Sequence, residues 1–233
     1  MSPRVSVITP AYNSEKTLEK SVNSVLTQDF SDLELLIIVN GCTDNTMSVA
    51  NSLAKNDSRI RVLESRKGKV PSRNLGLIEA RGEIVALQDA DDEWLPQKLT
   101  DQLQRVDDGF DVVAGQILQV DVDGNFLQEQ FLWPTSHNDI VSSMLAGHNA
   151  VANSAAVFRK SLLEDIGTYE DCFPFCEDFH FWLRAIKFAK FSNLERHVLK
   201  YTVTHNPHYD HTIPQALSQF YKSLYAYTGV VKS

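Results

Sequence analysis

Short apolar runs alternate with segments of helix-spaced apolar residues along the first half of the chain. Residues 5–9, 35–39, 60–63 and 84–88 are rich in Val, Ile and Leu, and each run is closed by polar residues. Runs of that length and content predict buried strands. Between them, apolar positions recur every three or four residues. Leu18, Val22, Val25 and Leu26 define one helix, with Asn13 or Ser14 placed to cap it. Met47, Ala50, Leu53 and Ala54 define a second, capped by Asp44. Leu75 and Ile78 define a third, which Pro71 suits in its first turn and Gly82 ends. Leu99, Leu103 and Val106 define a fourth, opened by Pro96. Strands separated by such helices predict parallel pairing with right-handed crossovers. The expected class is α/β, a Rossmann-like, mostly parallel sheet with helices on both faces.

The second half reads differently. Strands are predicted at 112–120, at 126–131 after the turn Asp123-Gly124, and at 199–204. Helices are predicted at 139–145, 160–166, 179–189 and 213–227. No linker or composition break separates the halves, so 1–233 is expected to be one domain.

In a parallel sheet the carboxyl ends of the strands open on one edge. Three polar clusters would meet there: Pro10-Ala11-Tyr12-Asn13, Asn40-Gly41-Cys42-Thr43-Asp44 and Asp89-Ala90-Asp91-Asp92. If the fourth strand returns beside the first, a crevice forms between them. The third cluster says most, because an apolar run stops there at three carboxylates. Asp89 and Asp91 stand two apart and repel each other unless positive charge lies between them. A hard divalent ion suits that role, since Mg²⁺-type ions take one or two carboxylates plus phosphate oxygens. Taken alone, an Asp-x-Asp pair serves as readily as a helix-start cluster. Asp92 and Glu93 are assigned to the following helix end.

Composition narrows the classes. Hydrophobic residues make up 43% of the 233 positions and charged residues 22%, enough for an ordinary core. A net charge of -8 argues against a broad nucleic-acid face, which needs a basic surface. Three cysteines, Cys42, Cys172 and Cys176, do not make a disulfide framework, so a reducing compartment is expected. No leader-like segment opens the chain, and no apolar stretch approaches the roughly 20 residues of a membrane span. The expectation is a cytoplasmic protein without a transmembrane segment.

Five stretches carry a family resemblance. Val5-Ser6-Val7-Ile8-Thr9-Pro10-Ala11-Tyr12-Asn13 resembles the opening strand and loop of family 2 glycosyltransferases of the GT-A fold. Ile38-Val39-Asn40-Gly41-Cys42-Thr43-Asp44 is similar to their second strand-end motif, VDDGSTD. Ser72-Arg73-Asn74-Leu75-Gly76 and Ala80-Arg81-Gly82-Glu83-Ile84 are similar to their RNxG…AxGE segment. Asp89 to Pro96 resembles their DxD signature, and Glu177-Asp178 before Phe181-Trp182-Leu183-Arg184 their ED motif. Five motifs in order are far more specific than one.

The resemblance implies an inverting transferase that uses a nucleotide-diphosphate sugar and Mn²⁺ or Mg²⁺. It implies a nucleotide-sugar half over about 1–110 and an acceptor half over about 111–233. Pro10, Tyr12, Asn13 and Asn40 would line the nucleotide pocket, and Arg73 would lie near the phosphates. Asp89 would lie near the ribose, and Asp91 would hold the metal. Asp178 would be the general base, and His205 falls nearest the late histidine that completes the metal or phosphate shell. The acceptor would be a glycan or a lipid-linked sugar, with peripheral contact at the inner face of the membrane.

One departure stands out. The acid that contacts the base in family members falls on Val39, and its neighbour on Asn40. A carboxylate accepts from a uracil N–H and Val39 cannot. A UDP-sugar remains the first candidate donor, with Asn40 or a backbone carbonyl replacing that contact, unless the base differs. The competing class is a nucleotide- or carbohydrate-binding GT-A module without catalysis. Dinucleotide oxidoreductases are excluded because no G-x-G-x-x-G follows the first strand. Lys67 and Lys69 are candidates for the anion, and Trp94, Trp133 and Tyr209 for stacking on a sugar. His208 and His211 read as surface loop residues, and the stripe Phe220, Tyr221, Leu224, Tyr225 as a packing or self-association face.

Overall fold

Val5–Ala11 (β1) and Leu33–Asn40 (β2) pair in parallel, with Val7 against Leu35 and Ala11 against Val39. Every residue of β2 is buried, as expected of a strand covered on both faces. Ile60–Ser65 (β3) lies beside β2, and Ile84–Leu87 (β4) lies on the other side of β1, both parallel. The strand order β3-β2-β1-β4 therefore reverses at β1, and the crevice opens at the carboxyl ends of β1 and β4. The computed structural model describes residues 2–129, 132–171, 173, 176–203 and 212–227.

Leu18–Leu26 (α1), Thr46–Asn56 (α2) and Lys69–Glu79 (α3) connect these strands. α3 packs on β1 and β2 so closely that a Cβ at Gly76 would overlap the Ile8 side chain. A Cβ at Gly82 would lie 2.7 Å from the Ser6 nitrogen and 2.8 Å from the Arg4 oxygen. The two glycines of the third sequence motif are thus sites of close backbone approach.

The remaining elements are Glu93–Trp94 (β5), Lys98–Asp107 (α4), Val112–Val120 (β6), Phe126–Glu129 (β7), His137–Leu145 (α5), Val157–Arg159 (β8), Leu162–Ile166 (α6), Glu177–Ala185 (α7), Phe191–Thr202 (β9) and Thr212–Tyr227 (α8). They extend the same sheet in the order β4-β8-β6-β9-β5, with β7 hanging from β6. β8 is antiparallel to β4 and β6, β9 is parallel to β6, and β5 is antiparallel to β9. A parallel front thus joins a mixed rear, with helices on its flanks. Phe158, Phe179, Phe181 and Trp182 form the aromatic centre of the rear core.

Several boundaries differ from the sequence pattern, each for a local reason. α1 starts at Leu18, not after Asn13. Asn13 has φ 49, and its side chain accepts from the Thr43 N–H at 2.9 Å, so it joins two loops instead of capping. The strand expected at 199–204 begins at Phe191. Ser192 and Asn193 disguise it: both are buried, and the Asn193 amide donates to the Pro134 and Ala150 carbonyls at 2.7 and 2.8 Å. Register shifts around Gln116 further break the alternation. The helix expected at 179–189 starts at Glu177 and ends at Ala185, which puts its acids inside the first turn. β5 and β8, of 2 and 3 residues, are too short to show a period. On α8, Tyr221 and Tyr225 are buried whereas Phe220 and Leu224 are exposed, so half the stripe serves packing. No helix among the described residues is long and apolar enough to cross a membrane.

Candidate active site

The loops after β1 and β2 are zipped together. The Ser14 N–H donates to Thr46 Oγ1 at 2.7 Å, the Glu15 N–H to Asp44 Oδ2 at 3.1 Å, and the Asn45 N–H to Glu15 Oε2 at 2.9 Å. Asn40, buried at the end of β2, donates from Nδ2 to the Ala11 carbonyl at 3.0 Å. Its Oδ1 accepts from the Gly68 N–H at 3.4 Å. One amide thereby ties the ends of β1 and β2 to the loop that enters α3. A carboxylate there would lack the N–H that reaches Ala11.

The carboxylate loop after β4 is held from every side. The Asp89 N–H donates to Ser154 Oγ at 3.0 Å, and Ser21 Oγ donates to the Asp89 carbonyl at 3.1 Å. Gln88 Nε2 donates to the Asp92 carbonyl at 2.7 Å. Asp92 does not serve a helix end: it is buried and its Oδ1 accepts from the Thr202 N–H at 2.9 Å. Thr202 Oγ1 also donates to the Asp91 carbonyl at 2.5 Å. The acidic loop is therefore fastened to the end of β9, and Glu93 and Trp94 pair with Lys200 and Leu199 rather than starting a helix. Pro96 does not open the helix: α4 begins only at Lys98, after a left-handed Gln97.

These loops surround a cavity of about 580 Å³. Pro10, Tyr12, Asn13, Asn40, Arg73, Asp89 and Asp91 all line it. Burial first, and then the Asp89 charge, push the Asp91 carboxyl up to about 6, against the pull of Lys69. Burial, Asp89 and Asp91 push Asp92 up as well. Arg73 is 4% exposed; its Nη1 donates to Glu177 Oε1 at 2.8 Å and its Nη2 to Asp89 Oδ1 at 3.4 Å. Burial opposes the Arg73 charge, but the carboxylates of Asp89, Glu177 and Asp178 together outweigh it and hold the guanidinium protonated. Asp178 is half-buried, outside the cavity lining, and its Oδ1 accepts from the Phe179 N–H at 2.7 Å. Burial and the neighbouring Glu177 push its carboxyl up to about 6, with Arg73 and Lys69 among the groups pulling it back.

Residues 6–167 match the family model described as "Glycosyl transferase family 2". The chain belongs to glycosyl transferase family 2. An uncharacterized glycosyltransferase of Haemophilus influenzae is 29% identical to it over 219 residues, 88% of this chain and 67% of that protein. The GalNAc(5)-diNAcBac-PP-undecaprenol beta-1,3-glucosyltransferase of Campylobacter jejuni is 34% identical over 173 residues, 70% of this chain and 54% of that one. The crystal structure of S. aureus TarS 1-349 in complex with UDP-GlcNAc superposes with a TM-score of 0.71 at 25% identity, covering 89% of this chain and 60% of that chain. This family 2 chain thus spans between about half and two thirds of the length of these relatives.

In this family 2 chain, the structure brings seven of the nine candidate residues to one cavity. Asp178 stands one residue beyond the Arg73–Glu177 pair, and His205 lies outside the described residues, as do Tyr209, His208 and His211. Trp94 does not offer a sugar platform: it is buried in β5, under Lys98 Nζ at 3.9 Å, with its indole N–H 3.4 Å from the Ser154 carbonyl. Trp133 is half-buried and does not line the cavity. Among the described residues no group of three or more His, Cys, Asp and Glu is arranged to hold a metal ion. Sequence reasoning missed the far wall, made by Tyr201 and Thr202 of β9 and by Asp121, Val122 and Gly124 of the β6–β7 turn. Tyr201 stands there 38% exposed. Burial and the charges of Asp92, Asp89, Asp91 and Asp178 keep its phenol protonated. The turn residues Asp123-Gly124 were the one available signal.

Proposed function

We propose that this chain is a metal-dependent, inverting glycosyltransferase that moves a sugar from a nucleotide-diphosphate sugar to a glycan or lipid-linked acceptor. The carrying observation is the division of acids around Arg73. Asp89 and Asp91 line the cavity, while Glu177 and Asp178 sit on α7 at the other end of the guanidinium. In this reading the cavity pair would serve the donor and the α7 pair the acceptor.

Asp91 fits a divalent ion. Its ionised form is disfavoured by burial and by Asp89, and a doubly positive neighbour reverses both effects. Hard ions of this kind need one or two carboxylates and take their other ligands from phosphate and water, so a third protein ligand is not required. Asp91 would hold Mn²⁺ or Mg²⁺, with His205 the proposed second ligand, and the bound ion would supply positive charge to the leaving diphosphate. The Asp178 carboxylate takes the proton of the acceptor hydroxyl. The acceptor oxygen bonds to the anomeric carbon from the face opposite the diphosphate. The bond from that carbon to the diphosphate oxygen breaks, its electron pair leaves with the nucleoside diphosphate, and the configuration inverts.

A UDP-sugar is the first donor to test, supported by the TarS complex with UDP-GlcNAc. A lipid-linked acceptor is supported by the Campylobacter jejuni relative, whose name specifies a PP-undecaprenol glycan. The same reading places the chain in the cytoplasm, peripheral to the inner face of the membrane. The test is a panel of uridine, guanosine, cytidine and thymidine diphosphate sugars, with and without Mn²⁺, scored by released nucleoside diphosphate. Release from one donor, dependent on the ion and stimulated by an acceptor, is expected. A protein that binds donors but releases nothing with any acceptor would be the non-catalytic module instead.

A further inference from the structure

Tyr169 lines no part of the cavity, yet it joins the three segments that meet at Arg73. It lies in the loop between α6 and α7 and is 3% exposed. Its N–H donates to Asn74 Oδ1 at 2.9 Å, and its carbonyl accepts from Asn74 Nδ2 at 2.8 Å. One side chain of α3 thus grips its backbone from both sides. Its hydroxyl donates to Asn153 Oδ1 at 2.9 Å, and the next residue, Ser154, receives the Asp89 N–H. Its ring stacks on Phe181 of α7, with centroids 4.3 Å apart and planes 18° from parallel. The Arg73 guanidinium lies over the same ring, its Cζ 5.4 Å from the centroid. A stack that close leaves no room on the Phe181 side, so the guanidinium occupies the other face.

A buried guanidinium is costly unless its charge and its N–H groups are met. Glu177 and Asp89 meet Arg73 through those N–H groups, which point along the plane of the fork. Neither contact stops the fork from tilting out of that plane, and the Asp89 contact is long at 3.4 Å. An aromatic face supplies the missing restraint and attracts the cation through the ring quadrupole. Asn74 directly follows Arg73, so ring and guanidinium are held against the same turn of α3. Phe181 sets the ring against α7, the helix that carries Glu177 and Asp178.

We propose that Tyr169 is a positioning residue of the transfer reaction, a role that rests on the glycosyltransferase reading. Its ring holds the Arg73 guanidinium between the cavity acid Asp89 and the α7 acid Glu177. Its hydroxyl only secures the ring, and its effect on turnover passes through Arg73.

The test measures kcat as nucleoside diphosphate release at saturating donor and acceptor, with the donor that the panel above selects. Each variant is assayed at a temperature where circular dichroism shows it folded. Tyr169→Leu is expected to lower kcat by about tenfold to 10²-fold, the scale of a misplacement of about 1 Å. Tyr169→Phe keeps the ring and should recover most of that loss. In an Arg73→Gln background, Tyr169→Leu should cost no more than about twofold further, because the group it positions is already gone. Asn74→Ala frees the Tyr169 backbone from a half-buried position and should follow the same pattern, so it serves if Tyr169→Leu does not fold. Arg73→Gln combined with Glu177→Gln serves as the background if Arg73→Gln does not fold. An unchanged kcat in Tyr169→Leu, or the same fold-loss in both backgrounds, overturns the role of Tyr169 and leaves the glycosyltransferase reading standing. So does a Tyr169→Phe as impaired as Tyr169→Leu. A wild type that releases no nucleoside diphosphate from any donor of the panel overturns both.

Discussion

Arg73 and Glu177 stand 104 positions apart and meet at 2.8 Å, buried, with Asp89 3.4 Å away on the other arm of the same guanidinium. One side chain of α3 thereby holds the acidic loop after β4 and the first turn of α7 in fixed relation. Its positive charge also favours the ionised form of Asp178. Removing that charge raises the Asp178 pKa further, so at a given pH less of the carboxylate is free to accept a proton. Arg73→Gln is therefore expected to move the acid limb of the kcat/KM–pH profile to higher pH and to lower kcat. It also leaves Glu177 buried without its partner, a change that typically costs about 3–5 kcal/mol. Arg73→Lys keeps the charge and loses the fork, so it should keep the limb near its original place while lowering kcat. An unshifted limb in Arg73→Gln would show that Arg73 does not act through Asp178.

Asp178→Asn removes the proton acceptor with little change in shape. Turnover should fall by about 10²–10⁴-fold, and donor binding should persist because Asp178 does not line the cavity. In the wild type, activity should rise as pH climbs through about 6, where Asp178 loses its proton. Near-full turnover in Asp178→Asn, measured by nucleoside diphosphate release, would remove Asp178 from the base role.

Asp91 should carry the metal dependence of donor binding. A proton and a divalent ion compete for its carboxylate, and the proton is held up to about pH 6. Ion-dependent donor affinity should therefore weaken as pH falls below about 6 and recover above it. Asp91→Ala should abolish the difference between titrations with and without Mn²⁺, at any pH. Unchanged titration curves in the variant would refute the role.

The parallel front was legible because its signals are local. A run such as Leu35-Leu36-Ile37-Ile38-Val39 is buried on both faces, and Leu18, Val22 and Val25 turn inward once per turn, so each element announces itself within about ten residues. The convergence of Asp89 with Asn40 followed from strand order alone. The commitments of the polar side chains were not legible. Asp92 looks like a helix-start acid until Thr202 is brought to it, and Arg73 looks like a free phosphate ligand until α7 folds back on α3. β9 hides behind Ser192 and Asn193, polar residues whose hydrogen bonds are satisfied only by chain segments far away in sequence. Tyr201 carries no motif at all; it becomes part of the site because β9 pairs with β5 beside the acidic loop.

Gly76 offers a test of the scaffold beneath these charges. A methyl group there would overlap Ile8 of β1, so α3 must move away from the sheet or Ile8 must shift. Overpacking of this kind costs about 1–3 kcal/mol, and for a chain of 233 residues each kcal/mol lowers Tm by roughly 2–4 °C. Because Arg73 on α3 anchors the acidic loop through Asp89, Gly76→Ala should also weaken nucleoside diphosphate binding, although it lies in the core. Adding Ile8→Ala removes the clashing atoms. The double variant should recover part of the lost affinity even though Ile8→Ala alone destabilises the core, a coupling that a double-mutant cycle measures directly. Strict additivity of the two changes would mean that the approach of α3 to β1 does not set the position of Arg73 and the acidic loop it holds.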